Sequence, residues 1–374
     1  MLEFLLNPNN LLFWIFIIIV IIIAITIVWW PFNIYIQFSY INAKLEAIGN
    51  HYLSEKELNR LIESKNLNDF KDSLNNSKDY DISGENSKDI QISLDNNYIN
   101  TIDQMKKDSS KKILNFYNIF YDMIDLEYLK KIIKNKLLNS QFGKITVEPI
   151  NNKKIKQLSN EIINSENEEI NEILIKFGFN SNLKNLQYNN TSDFLFLDNI
   201  FDTYIISKFK DLKLPKKCKK AQENFVEYMI DIKNIKNILR AKNLEFDEKT
   251  CDKLFLGEGK EISNWKFNEL CQLIDVNQVI INLEGTSYYD SLKDSIEKFN
   301  AEKTTQVFEK SLDEYFIKIL KDLSIENYVH IGPILRFLIS KKFEIINLKI
   351  ISKAIEENID SQLIKNNLIM EINQ

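Results

Sequence analysis

The chain has 374 residues, a formal net charge of −5 and a pI near 5.5, and its length allows two or three domains. Because nucleic-acid-binding proteins usually present a basic face, this charge balance gives no reason to expect nucleic acid as a partner. Glycine (8) and proline (5) are scarce, which disfavours an all-β fold rich in turns and favours helices.

The first long feature is an apolar run, Leu11–Trp30, in which Thr26 is the only polar residue. As a helix it is about 30 Å long, the thickness of a bilayer hydrocarbon core. Tryptophans lie near both ends, as interfacial aromatic residues do, and Pro31 is expected to end the helix. The sequence thus predicts a single N-terminal transmembrane anchor in residues 1–38, with its helix at about 11–30. The alternative, a cleaved signal peptide, lacks a leading basic segment and a small-residue cleavage site.

The segment after the anchor is expected to be helical and to leave the membrane over Asn33–Ile48. Lysines follow the apolar run at Lys44 and Lys56, whereas the first ten residues contain none. This bias places the large domain on the cytoplasmic side. Ser54–Glu57 has the pattern of a capping box at the start of a helix.

A polar stretch then runs from Asn75 to about Ser110. Its content of Asn, Ser, Asp and Lys allows a mobile loop, whereas Ile90, Leu94 and Ile102 favour some packing. The sequence alone leaves the order of residues 75–110 open.

Three segments resemble one another and are spaced roughly 110 residues apart: Phe120–Lys136, Phe225–Lys242 and Leu338–Ile355. Each contains an acid followed, five residues later, by a lysine. The shared acids are Asp125, Asp231 and Glu344, and the shared lysines are Lys130, Lys236 and Lys349. Similar units at a domain-sized period predict a triplicated architecture.

The middle segment has the periodicity of an amphipathic helix, with Tyr228, Ile232, Ile235 and Leu239 on one face. Such stripes usually face a core, so we interpret the three segments as core helices rather than as special sites. A pair of shorter helices also repeats: Leu58, Phe70 and Tyr80 align with Phe267, Val279 and Tyr289. We therefore predict helical repeats at 39–145, 146–253 and 254–374.

Candidate sites for chemistry are few. Gly257–Lys260 (GEGK) is too short for a phosphate-binding loop and lacks the following Ser or Thr, so we interpret it as a turn. Lys216–Lys220 (KKCKK) is the densest basic cluster, either a solvated turn or a contact for anionic lipid or an acidic partner. Acidic residues are evenly spread, so no general acid and base pair is indicated.

The cysteines Cys218, Cys251 and Cys271 and the histidines His51 and His330 are widely separated. No metal-ligand spacing is present, so no metal site is expected. The odd number of cysteines suits a reducing compartment, with the thiols as small core or surface residues. No catalytic, cofactor-binding or metal-binding residue is predicted, and catalysis by this chain is not expected.

Several stretches together resemble the C subunit of archaeal A-type ATP synthases, a relative of the V-type ATPase d subunit. They are Ile230–Lys242 (IDIKNIKNILRAK), GEGKEIS from Gly257, Glu284–Asp290 (EGTSYYD), Gly332–Ile355 and Tyr40–Ser64. The resemblance covers residue 38 to the end, in the same order of elements. The apolar run at 11–30 departs from the shorter soluble members of the family.

This resemblance implies an all-α fold of three similar domains in a pseudo-threefold funnel. It also implies a non-catalytic central-rotor subunit that links the membrane proteolipid ring to the central stalk and so couples proton or sodium ion translocation to ATP synthesis. The partners implied are the ring, the stalk subunits and membrane lipid, without a small-molecule substrate or cofactor. The expected location is the cell membrane, with the helical body in the cytoplasm.

The predicted anchor adds a constraint, because a membrane helix that turns with the ring would collide with the stator unless it lay in the lumen of the ring. Two other functions stay open at this point. One is a membrane-anchored helical scaffold or adaptor unrelated to a rotary ATPase. That function would not explain a threefold internal repeat. The other is a membrane-tethered enzyme, which would need a concave site with convergent polar groups.

Overall fold

A computed structural model describes residues 11–48, 52–77, 79–137, 150–179 and 193–371. Within these ranges the regular structure is helical and contains no strand, which confirms the predicted all-α class. In chain order the helices are α1 (Leu11–Ile48), α2 (Glu55–Ile62), α3 (Leu67–Asn75), α4 (Ser87–Asp108), α5 (Leu114–Leu137), α6 (Lys153–Asn164), α7 (Ile170–Lys176), α8 (Asp193–Asp211), α9 (Lys219–Asn243), α10 (Glu248–Asp252), α11 (Asn264–Gln272), α12 (Val276–Asn282), α13 (Tyr289–Lys293), α14 (Ile296–Glu302), α15 (Gln306–Glu326), α16 (Gly332–Glu356) and α17 (Ser361–Asn367).

Helix α1 is longer than the predicted anchor. The apolar run and the predicted helix after it form one continuous helix of 38 residues, so the expectation that Pro31 ends the first helix is wrong. A proline inside a helix costs about 3 kcal/mol. Packing at the other end of α1 offsets this cost, because Phe38, Ile41 and Leu45 are buried and Asn42 donates to the carbonyl groups of Tyr328 (2.7 Å) and His330 (2.9 Å).

The predicted transmembrane anchor is not supported. Across the ranges described above, no helix has the length and apolarity that a membrane crossing requires. The element is not a separate anchor but the first part of a helix that continues into the body. Its apolar side chains before Phe38 are mostly exposed, with Ile22 56% and Trp29 62% accessible.

The polar stretch after Asn75 is mostly ordered as α4, so a mobile loop is the wrong interpretation for Ser87–Asp108. Ile90, Leu94 and Ile102 are fully buried, at the spacing of one helix face. Asn86 caps the first turn by accepting from the backbone N–H of Asp89. The predicted capping box of α2 is present, with both reciprocal bonds between Ser54 and Glu57.

Six long helices form a closed circuit of contacts. Helix α4 packs on α5, α5 on α8, α8 on α9, α9 on α15, α15 on α16, and α16 returns to α4. The three repeated segments lie in α5, α9 and α16, which we term the repeat helices. Each alternates with a different long helix, so the same contact pattern occurs three times around the circuit.

Short helices pack on each repeat helix. Helix α6 packs on α5, helices α11 and α12 pack on α9, and helices α2 and α3 pack on α16. In the first two cases the short helices follow their repeat helix in the chain. In the third they come from the beginning of the chain, so the N-terminal and C-terminal parts of the protein join in one unit.

The apolar core is continuous through several members of the circuit. Ring centroids are 5.9 Å apart between Phe120 on α5 and Phe209 on α8, 5.1 Å between Phe209 and Phe225 on α9, and 5.9 Å between Phe225 and Phe316 on α15. Each such aromatic pair contributes about 1 kcal/mol beyond the area it buries. These contacts connect neighbouring units into one body.

Candidate functional site

The shared acid of the middle repeat helix, Asp231, holds the loop between α10 and α11. It is fully buried and accepts hydrogen bonds from the backbone N–H groups of Glu261 (2.7 Å) and Ile262 (3.0 Å) and from the hydroxyl of Tyr288 (2.9 Å). We term such a carboxylate, which binds backbone amides ahead of a short-helix pair, an acid latch. Hydrogen bonds to a charged acceptor contribute about 1.5–3 kcal/mol each.

The first repeat helix has the same latch. Asp125 is fully buried and accepts from the backbone N–H groups of Asn151 (2.9 Å) and Asn152 (2.7 Å). Asn152 then caps α6 through its own side chain. The latch thus fixes the position at which this short helix begins.

In the third repeat helix the latch joins distant parts of the chain. Glu344 accepts from the backbone N–H of Leu53 (2.7 Å) and from the hydroxyl of Tyr80. The ammonium of Lys341 donates to the same carboxylate at 2.6 Å. The acid near the C-terminus therefore holds the short helices near the N-terminus.

The structure corrects one alignment made from the sequence. Apolar spacing aligned Tyr80 with Tyr289, but Tyr80 and Tyr288 are the residues that donate to a latch acid. Tyr289 is only partly buried. The alignment was wrong by one residue because two adjacent tyrosines fit the apolar pattern equally well.

Burial shifts the pKa of two latch acids and of the tyrosine that donates to one of them. It raises the pKa of Asp231 and of Asp125, while the amide donors act in the opposite direction. Burial and then the charge of Asp231 raise the pKa of Tyr288 far above its usual value. Tyr288 therefore keeps its proton and acts as the donor in this hydrogen bond.

Each shared lysine forms an ion pair with an aspartate on the next helix of the circuit. The pairs are Lys130 with Asp198 on α8, Lys236 with Asp313 on α15 at 2.6 Å, and Lys349 with Asp95 on α4 at 2.5 Å. The sequence indicated the lysines but not the aspartates. Their only signal is that each aspartate precedes the lysine of its own unit by a similar number of residues.

A second ion pair strengthens the contact between α9 and α15. Arg240 binds Glu309 through two nitrogens, one of them Nε at 2.7 Å from Oε1. Burial alone would raise the pKa of Glu309, but the hydrogen bonds and charge of Arg240 outweigh it and hold that pKa below its usual value. Bidentate pairs of this kind fix orientation as well as distance.

A charged cavity of about 230 Å³ lies among α5, α8, α9 and α16. Lys233 Nζ is 2.6 Å from Asp202 Oδ1, and Lys342 Nζ is 3.1 Å from Glu127 Oε1. These groups line the cavity together with Lys130, Asp198 and Arg240. Because its charges are paired, the cavity offers a charged surface for recognition rather than a poised acid or base.

The two lysine-containing motifs singled out from the sequence lie in different surroundings. Gly257–Lys260 lies in the loop between α10 and α11 that Asp231 holds, and its interpretation as a turn between repeats stays a prediction. Lys216–Lys220 straddles the start of α9, where Lys219 forms an exposed ion pair with Glu223 at 3.4 Å. Its contact with an anionic partner stays a prediction.

The sequence predicts no metal site, because its potential ligand side chains are widely separated. Among the described residues, no group of three or more His, Cys, Asp or Glu side chains is placed to hold a metal ion. The predicted absence of catalytic and cofactor-binding residues stays a prediction.

Comparison with known families identifies the origin of this arrangement. The model of the ATP synthase (C/AC39) subunit family matches residues 41–367, which includes all six helices of the circuit and the three latches. The chain belongs to the ATP synthase (C/AC39) subunit family. This confirms the resemblance found in the sequence.

Several similar proteins carry the name of the C subunit of A-type ATP synthase. One from Methanosphaera stadtmanae is 25% identical over 90% of this chain and 88% of its own length. One from Methanocaldococcus jannaschii is 26% identical over 89% and 86%. One from Methanobrevibacter smithii is 37% identical over 46% and 45%. As a member of this family the chain is a structural subunit of an ATP synthase and not an enzyme in its own right, as predicted.

Proposed function

We propose that this ATP synthase (C/AC39) family member is the central-rotor subunit that links the membrane proteolipid ring to the central stalk. In this role it couples proton or sodium ion translocation to ATP synthesis on other subunits. The observation that carries the proposal is the family match over 41–367, combined with a body closed on itself. A membrane-anchored scaffold unrelated to a rotary ATPase would not account for that match.

The closed circuit supports a mechanical role. A rotor subunit must transmit torque without deforming, and closure gives each long helix two packed neighbours. Acid latches fix the short helices, and an ion pair crosses from each repeat helix to the next unit. We propose that the three repeats, 39–145, 146–253 and 254–374, form the pseudo-threefold funnel that the family resemblance implies.

Two surfaces suit the two proposed partners. The exposed apolar part of α1 offers apolar contact to the proteolipid ring and its lipid, and α1 is fixed to the body through Asn42. The charged cavity offers paired acids and bases to the foot of the central stalk. We propose accordingly that the helical body lies on the cytoplasmic side of the cell membrane.

The test is native purification of the tagged full-length chain from membranes in mild detergent. We expect it to migrate with the nucleotide-binding subunits and the ring proteolipid, and we expect its depletion to uncouple ion flow from ATP turnover. Migration alone, or with unrelated partners, would contradict the rotor role.

A matched pair of variants tests the ring contact. Ile22→Asp places a charge on the exposed apolar part of α1, where Ile22 is 56% accessible, and Ile274→Asp places one on the body, where Ile274 is 82% accessible. The first should lose proteolipid but keep the stalk subunits, and the second should keep both. Equal retention of proteolipid by both variants would exclude α1 as the contact.

A further inference from the structure

The three short turns between consecutive long helices lie at the same end of the body. Residues 109–113 join α4 to α5, residues 212–218 join α8 to α9, and residues 327–331 join α15 to α16. The ion pairs of the shared lysines each join the second half of one long helix to the first half of the next. Neighbouring helices therefore run antiparallel all the way around the circuit, which brings the three turns together. We term this face the turn end.

Two of the three turns carry a dense set of lysines. Residues 105–113 contain four lysines and one aspartate, and residues 207–223 contain seven lysines and two acids. Two of these acids are engaged, since Asp108 pairs with Lys44 at 2.6 Å and Glu223 with Lys219 at 3.4 Å. Most of the lysines are exposed and form no ion pair with a described residue: Lys107, Lys111, Lys112, Lys210, Lys213, Lys216, Lys217 and Lys220.

This cluster differs from the other charged surfaces of the protein. The lysines between the long helices are paired, as Lys236 is with Asp313 and Lys349 with Asp95. The chain as a whole is acidic, with a net charge of −5. A positive face that is not compensated by its own acids attracts an anionic partner.

The third turn is apolar instead of basic. Ile325 near the end of α15, Tyr328 and Val329 are 66%, 46% and 43% accessible. The turn end therefore combines basic and apolar exposed side chains on one face.

Helix α1 passes this apolar turn and projects beyond the turn end. The ring of Phe38 lies 6.3 Å from that of His330 in the third turn. Ile48, at the other end of α1, lines a cavity with Phe337 and Lys341, which lie further along α16. Since α1 runs into the body between these two points, the residues before Phe38 extend away from the body. Their apolar side chains are mostly exposed.

This combination fits the surface of an anionic lipid bilayer. Lysine ammonium groups are attracted to lipid phosphates, and their aliphatic stems pack on the apolar boundary beneath the headgroups. Exposed apolar side chains beside a basic cluster add contact with the same boundary. A soluble acidic protein would account for the lysines but not for the apolar third turn or for α1.

We propose that the turn end docks on the headgroups of anionic phospholipids. The lysines of the first two turns contact the phosphates, and the third turn and the exposed part of α1 contact the apolar lipid boundary. This is a direct partner of the chain itself and is separate from the ring contact of the rotor role.

The first experiment is lysine footprinting of the full-length chain on lipid vesicles. The chain is bound to vesicles of phosphatidylcholine alone or of phosphatidylcholine with phosphatidylglycerol, acetylated by a neutral reagent and mapped by mass spectrometry. We expect acetylation of Lys111, Lys213 and Lys217 to be several-fold slower on the anionic vesicles. The exposed lysines away from the turn end, Lys56 and Lys249, should react equally on both. About 0.5 M sodium chloride should remove the protection, because salt screens exposed charges.

A matched pair of triple variants then tests the role of the charges. One carries Lys213→Gln, Lys216→Gln and Lys217→Gln; the other carries Lys56→Gln, Lys249→Gln and Lys253→Gln, which changes the net charge equally at other exposed positions. Each chain is offered both kinds of vesicle in one mixture, so the apolar contribution of α1 is common to both. The first variant should lose the preference for anionic vesicles about tenfold or more, and the second should keep it.

The outcomes separate this proposal from its alternatives. Equal acetylation of the turn-end lysines on the two kinds of vesicle would overturn it, as would equal protection of Lys56 and Lys249. The same loss of preference in both variants would show an effect of net charge alone. Protection that appears only after addition of ring proteolipid would assign the face to a protein partner. Because the vesicles contain no ring, a failure of the rotor role would not change these results.

Discussion

At the scale of single residues, the shared acids turned out to be structural rather than reactive. Asp125, Asp231 and Glu344 each bind backbone amides of a segment far along the chain. A carboxylate is suited to this task because it accepts several hydrogen bonds at once, which a buried apolar side chain cannot do. The sequence marked these acids as a recurring feature but gave no sign of what they bind.

The hydrogen bonds to Asp231 predict how an isosteric substitution of this residue affects stability. Asp231→Asn replaces one acceptor oxygen by an N–H donor that faces the donors of the loop and of Tyr288. We expect the free energy of unfolding to fall by about 2–3 kcal/mol, measured by urea titration. The matched control is Asp290→Asn, whose side chain is 81% exposed and whose change should stay within about 0.5 kcal/mol. Equal effects of the two substitutions would refute the latch.

The carboxylate of Glu356, where α16 closes the circuit on α4, should make the stability of the fold depend on pH. Glu356 on α16 accepts from the backbone N–H of Ser87 at 2.9 Å, from the Ser87 hydroxyl, and from Lys353 Nζ at 2.8 Å. The bond from Lys353 and then those from Ser87 lower the pKa of Glu356 to about 2. Because this pKa is below the usual value of 4.5, Glu356 stabilises the fold above about pH 4.5 and loses that effect as the pH falls towards 2.

The comparison of wild type with Glu356→Gln isolates this effect from other carboxylates. The variant should be less stable by up to about 1 kcal/mol near neutral pH, and the difference should vanish near pH 2. Glu357→Gln serves as control, since Glu357 bonds only Lys353 among the described contacts. A stability difference that does not depend on pH would contradict the assignment.

At the scale of elements, helical periodicity in the sequence predicted the helices well. The sequence was a poor guide to where one helix ends and the next begins. The spacing of Tyr228, Ile232 and Leu239 predicted a helix within α9 correctly. Pro31, in contrast, did not end α1, because packing of Phe38 and Leu45 fixes the following turns. The polar residues of α4 hid a buried face, on which Tyr98 and Met105 join Ile90, Leu94 and Ile102 at helical spacing.

A glycine in the latched loop predicts a further substitution effect. A Cβ at Gly259 would lie 1.9 Å from Asp231 Oδ1 and 2.8 Å from the carbonyl oxygen of Glu227. Gly259→Ala should therefore displace the loop and lower the free energy of unfolding by about 3 kcal/mol. Gly285→Ala is the contrast, because its Cβ would meet nothing within 4 Å and its φ of +89° adds only local strain, about 1 kcal/mol. Chemical denaturation of both variants gives the answer, and a milder loss for Gly259→Ala than for Gly285→Ala would contradict the steric account.

At the scale of the whole molecule, closure of the circuit distinguishes this protein from an open array of helical units. In an open array the terminal units have one neighbour each and unfold more easily than the middle one. Here α16 returns to α4, and Glu344 holds the segment at Leu53. Each unit therefore has two neighbours.

This closure predicts cooperative unfolding. In hydrogen exchange followed by mass spectrometry across a urea series, peptides from α4, α5, α9 and α16 should lose protection at the same urea concentration. The physical reason is that release of any one unit exposes apolar surface on both of its neighbours. Earlier loss of protection in α4 and α16 than in α9 would show that the circuit behaves as an open chain.

The sequence by itself determined the helical class, the three repeat helices, the capping box of α2 and the family, because these depend on local periodicity and on motifs read along the chain. Only the tertiary structure decided which aspartate each shared lysine binds, that Tyr288 rather than Tyr289 donates to Asp231, and that the last repeat helix takes its short helices from the start of the chain. These features join residues far apart in sequence, and hydrophobic periodicity carries no information about which distant side chains converge.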